Sequence, residues 1–95
     1  MAAPLVDSHC HLDFAEFGPE REAVLARARA EGVDWFVTIG SGRNTESAPD
    51  AVALAHSHLD VLATVGIHPH DAVTATDDAV AAMRALADDP RVVAV

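Results

Sequence analysis

Short apolar runs alternate along this chain with longer stretches in which apolar residues recur at helical spacing. Residues 5–8 are short and apolar enough for a buried strand. Gly18-Pro19 then opens a helix, with Pro19 suited to its first position and Glu20 and Glu22 favourable at the positive end of its dipole. Val24, Leu25 and Ala28 give that helix an inner face, and Gly32 ends it. Residues 35–39 (WFVTI) are aromatic and β-branched, which predicts a second strand. A second helix is expected to start between residues 44 and 47, where Ser47 with Asp50 three positions on makes a capping pattern and Pro49 falls in the first turn. Val52, Leu54, Ala55 and Leu59 supply its apolar contacts. Residues 61–65 (VLATV) read as a third strand. Thr76 can cap a third helix, with Val80, Met83 and Leu86 at helical spacing, and Asp89-Pro90 stops it. Residues 91–95 (RVVAV) begin a fourth strand.

The order is therefore βαβαβαβ, an α/β architecture. Strands alternating with helices imply parallel pairing with right-handed crossovers. Strands with little polar alternation fit a sheet covered by helices on one face.

Composition narrows the picture. Apolar residues make up 51% and charged residues 22% of 95, a balance that belongs to a folding sequence. A single cysteine, Cys10, excludes an intramolecular disulfide scaffold. No apolar run approaches the ~18 residues of a membrane span, and the first residues lack the pattern of a signal peptide. A reduced, cytoplasmic protein with no membrane partner is the expectation. Fifteen acidic residues against six arginines give a net charge of −9. That argues against simple polyanion binding, which rests on Lys and Arg, but leaves room for a nucleic-acid enzyme whose positive charge arrives as metal ions.

Six histidines stand in three His-x-His segments. In Asp7-Ser8-His9-Cys10-His11-Leu12-Asp13, extended backbone places Asp7, His9 and His11 on one face at the C-terminal end of the first strand. Two imidazoles a pleat apart can bind one divalent ion, and a nearby carboxylate can orient them. Solvent-exposed loop histidines are the rival reading of so short a pattern. Its position at the end of a first parallel strand favours ligands. His56-Ser57-His58 is a control: it lies at a helix end, where residues two apart point away from each other. Those histidines suit the helix dipole, not a metal. His68-Pro69-His70 follows the third strand at the same sheet end as His9 and His11. It could line a site, bind substrate or cap its loop.

Three other features are set aside. Gly40-Ser41-Gly42 lacks the third glycine of a dinucleotide fingerprint, and a plain turn is expected. Cys10 reads as a buried, inert thiol turned towards the helix layer. Asp71, Asp77 and Asp78 read as turn and helix-start acids.

Taken together, Asp7-Ser8-His9-Cys10-His11-Leu12 with Phe17, followed by Val65-Gly66-Ile67-His68-Pro69-His70, closely resembles the TatD-like metal-dependent hydrolases of the amidohydrolase superfamily. The resemblance runs the length of the chain, ending in Val92-Val93-Ala94-Val95 as the lead-in to the family's Gly-Glu segment. It implies a (β/α)₈ TIM barrel with one or two divalent ions (Zn, Mg or Mn) at its C-terminal mouth, and hydrolysis of phosphodiester bonds in nucleic acid or small phosphoesters. By that resemblance His9 and His11 are metal ligands supported by Asp7, and His68 and His70 sit at the mouth.

The family's further ligands and its acid/base aspartate are expected beyond Val95, so no catalytic acid or base is assigned in this chain. Residues 1–95 are then expected to be the N-terminal portion of a barrel that takes about 250 residues. The chain alone is expected to be inactive and to bind metal weakly. The alternative is a non-catalytic half-barrel that binds metal weakly and self-associates through open sheet edges.

Overall fold

A computed structural model describes residues 3–41 and 45–95. Strands β1 (Leu5–Cys10), β2 (Val33–Gly40), β3 (Val61–Val65) and β4 (Val92–Ala94) alternate with helices α1 (Arg21–Ala30), α2 (Ser47–Ser57) and α3 (Asp77–Ala87). The four strands form one sheet in sequence order, and every neighbouring pair is parallel. This is the α/β sheet that the alternating pattern predicts, open at both edges, as in part of a TIM barrel. Two short 3₁₀ segments, Ala15–Glu20 and Pro69–Thr74, follow β1 and β3.

The core lies under α2. Phe36, Thr38 and Gly40 of β2 pair in register with Val61, Ala63 and Val65 of β3, and all six are buried. Ala48, Ala51, Val52 and Ala55 of α2 belong to the same cluster, which Leu12, Leu25 and Met83 complete. Small residues on α2 bring the helix close to the sheet. Gly40 is the tightest point: a Cβ there would lie 2.2 Å from the carbonyl oxygen of Thr64 and 2.9 Å from Cα of Ala48. The opposite sheet face, with Val37, Ile39, Leu62 and Thr64, is half-buried. The β1 edge is more open, with Leu5 and Val6 53% and 56% exposed.

The helix ends follow the sequence logic with two departures. Thr76 caps α3 as expected, its hydroxyl accepting from the Ala79 amide at 3.1 Å. Gly32, at φ +99°, follows α1 in the left-handed conformation that glycine adopts at low cost. Pro19, however, lies inside the first 3₁₀ segment, and α1 begins only at Arg21. Ser47 does not cap α2. It is the first residue of the helix after Glu46, it is buried, and its hydroxyl donates to Asp13. A partner from a distant loop outcompetes the local capping pattern. Asn44 and Gly42, which the sequence reading placed at the α2 start and in the preceding turn, lie outside the described residues.

Candidate metal centre

The first strand carries its chemistry at its C-terminal end. His9 lies on β1 and His11 just past it, and their rings meet edge to face with centroids 5.3 Å apart. The expected convergence of these two imidazoles is present, by a less regular route than alternation suggests. Between Asp7, opposite Phe36, and Cys10, opposite Thr38, β1 uses one residue more than β2. This irregularity interrupts the simple two-residue period. There the Asp7 carboxylate accepts from the backbone N–H of His9 at 3.2 Å. Asp7 thus fastens the main chain that carries the pair.

His11 is the better-fixed ring. It stacks on Phe14 at 4.7 Å with an interplanar angle of 24°. Its Nδ1 is buried and has no hydrogen-bond partner among the described residues. A buried nitrogen left unpaired costs about 1–3 kcal/mol. An imidazole nitrogen free of protein partners, beside a second imidazole, is the donor set a divalent cation accepts. Two histidines fill only half of a tetrahedral shell. Among the described residues, no three His, Cys, Asp or Glu side chains gather in a metal-holding group.

Cys10, between the two histidines, packs against the core, and its thiol donates to the Val37 carbonyl at 3.4 Å. Burial, reinforced by the negative charge of Asp7, pushes the thiol pKa up to about 12. It stays protonated at neutral pH and is neither nucleophile nor ready ligand.

His68 and His70 lie beyond β3, at the same end of the parallel sheet as His11. Their rings are 4.5 Å apart, and Nδ1 of His68 accepts from the His70 amide at 3.1 Å. This bond leaves neutral His68 protonated on Nε2. His68 therefore caps the start of the Pro69–Thr74 segment. His56 and His58 go elsewhere: His56 bonds Asp89 at 2.7 Å and His58 bonds Glu22 at 3.0 Å.

Sequence reasoning missed Asp13, whose carboxylate accepts from Thr38 Oγ1 at 3.0 Å and Ser47 Oγ at 2.8 Å. Its position two residues beyond the His pair was the available signal. Three arginines are taken by the fold. Arg21 holds the Leu12 and Phe14 carbonyls, Arg29 makes a two-point contact with Asp60, and Arg91 reaches four carbonyls around the end of α2.

The profile of the TatD-related DNases matches residues 6–95. The chain belongs to this family. It is 37% identical over 91 residues to the 3'-5' ssDNA/RNA exonuclease TatD of Cronobacter turicensis and 39% identical over 92 residues to that of Musicola paradisiaca, covering 96% of this chain and 34% of each relative. The uncharacterized metal-dependent hydrolase YabD of Bacillus subtilis is 32% identical over 91 residues, covering 96% of this chain and 35% of its own length. The chain thus spans about a third of the length of the curated TatD relatives it matches. No helix among the described residues is long and apolar enough to cross a membrane.

Proposed function

We propose that this chain is the N-terminal portion of a TatD-type (β/α)₈ barrel and supplies the first two metal ligands, His9 and His11, of a divalent-metal-dependent nuclease. The observation that carries this reading is the His9–His11 ring pair with its unpartnered, buried Nδ1, in a chain of this family. Asp7 supports the pair through the His9 main chain, and His68 and His70 border the substrate at the mouth. Divalent ions held there supply Lewis acidity and positive charge for phosphodiester hydrolysis. They also offset the net charge of −9, in a chain where Arg21, Arg29 and Arg91 are engaged in holding carbonyls and Asp60. The substrate class is single-stranded nucleic acid or a smaller phosphoester, and the compartment is the cytoplasm.

A chimera tests the assignment. Residues 6–95 would replace the matching segment of the Cronobacter turicensis exonuclease. The chimera is expected to degrade single-stranded DNA only with Mg²⁺, Mn²⁺ or Zn²⁺, and to lose this with His9→Ala. A folded chimera without metal-dependent cleavage refutes the reading. The 95-residue chain alone is expected to show no turnover.

One observation favours a second reading, a non-catalytic half-barrel that self-associates. Leu5, Val6, Trp35 and Val93 are large apolar residues of the strands left exposed, and open edges template pairing. Light scattering of the purified chain distinguishes them: a stable oligomer supports the half-barrel, a monomer the nuclease portion.

A further inference from the structure

The turn that follows the metal-ligand pair is held from three directions. The Phe14 amide donates to the His11 carbonyl at 3.2 Å, closing a tight turn over residues 11–14. Arg21 grips that turn from α1, donating to the Leu12 carbonyl and, at 2.9 Å, to the Phe14 carbonyl. Asp13, between those two carbonyls, accepts from Thr38 on β2 and Ser47 on α2, both of which are buried. The same turn sets Phe14 against the His11 ring. Four elements therefore fix one imidazole.

We propose that Asp13 is a positioning residue for the metal centre. Clamped by Thr38 and Ser47, it holds the residue 11–14 turn in the shape that aims His11, and Arg21 holds the same turn through its carbonyls. This rests on the reading that His9 and His11 bind metal. Asp13 does not touch the ion; it sets where His11 stands. The Thr38 and Ser47 hydroxyls donate to its carboxylate, so an acceptor with two oxygens suits this position. Asparagine keeps one oxygen and sets a donating amide against the second hydroxyl, so one of the two accepted bonds is reversed or lost.

The probe is Co²⁺ titrated into the chain, read by the paramagnetic shifts of the His9 and His11 ring protons. Asp13→Asn is expected to weaken Co²⁺ binding about fivefold and to reduce the His11 shift relative to that of His9. Ser47→Ala removes one of the two bonds and is expected to weaken binding about threefold, with a smaller change in the same ratio. Leu86→Ala, a truncation on α3, is expected to lower the melting temperature and leave both readouts unchanged. Wild-type affinity and shift ratio in folded Asp13→Asn overturn the proposal. Should that variant not fold, the same result in Ser47→Ala overturns it. His9→Ala separates the two levels. Unchanged Co²⁺ binding there would refute the metal reading and the brace with it, whereas loss with His9→Ala but not with Asp13→Asn refutes the brace alone.

Discussion

His9-Cys10-His11 and His56-Ser57-His58 are nearly the same tripeptide, and the fold uses them in opposite ways. At the end of β1 the two rings meet at 5.3 Å, and among the described residues His11 keeps a buried nitrogen without a partner. At the end of α2 each ring has its own carboxylate on a different part of the chain, Asp89 after α3 and Glu22 in α1. The irregular end of β1 brings the two rings together, and a helix end spreads residues two apart. Residue type supplies a coordinating nitrogen in both places. Backbone geometry decides whether it meets a second imidazole or is tied to the next element.

The sharpest way to test this contrast is to remove what holds the second segment. Arg91 donates to the carbonyls of Ala55, His58, Leu59 and Val61, carrying the end of α2 into β3. Arg91→Ala is expected to cost about 2–4 kcal/mol in denaturant unfolding, because several carbonyls lose a charged donor together. Loss of stability no larger than that of His56→Ala would give the histidines the structural role assigned here to Arg91. Next in size, His9→Ala should weaken Co²⁺ binding about tenfold, or roughly 1.4 kcal/mol, while His56→Ala and His58→Ala leave it unchanged in calorimetric titration. Equal losses at both segments would erase the distinction.

The ion pair beside His58 gives a smaller effect with a definite sign. The Arg29 guanidinium hydrogen-bonds Asp60 and holds its carboxyl below the usual carboxylate range. A depressed folded-state pKa contributes stability that is present above the unfolded value of about 3.9 and is lost as pH falls through the folded one. Both side chains are partly exposed, so Asp60→Asn should cost about 0.5 kcal/mol at neutral pH and flatten the acid limb of thermal melts. A cost that persists unchanged at low pH would contradict an ionic origin. The smallest effect is at Asp89, which the hydrogen bond from His56 also holds below its ordinary range. In His56→Ala its carboxyl should titrate closer to the ordinary value, followed by carboxyl NMR shifts.

Much of this was legible in the residues. The strand–helix alternation, the all-parallel sheet and the Thr76 cap follow from periodicity and capping chemistry. What was not legible depends on partners far apart in the chain. Ser47 reads as a cap because Asp50 stands three residues on, yet Asp13, 34 positions earlier, takes its hydroxyl. Asp13 itself reads as one more acidic residue until Thr38 is seen opposite it. The extra residue in β1 escapes a period-two reading because it is defined by what β2 does alongside.

Gly40 gives the site a dependence on a residue that contributes no side-chain atom to it. With no room for even a methyl group against Thr64 and Ala48, position 40 sets the spacing between the end of β2 and the first turn of α2. Ser47 precedes Ala48 in that turn, so the same spacing governs how near its hydroxyl comes to Asp13. Gly40→Ala would then act as a wedge driven in at the helix–sheet contact, felt at the histidines as a change in aim.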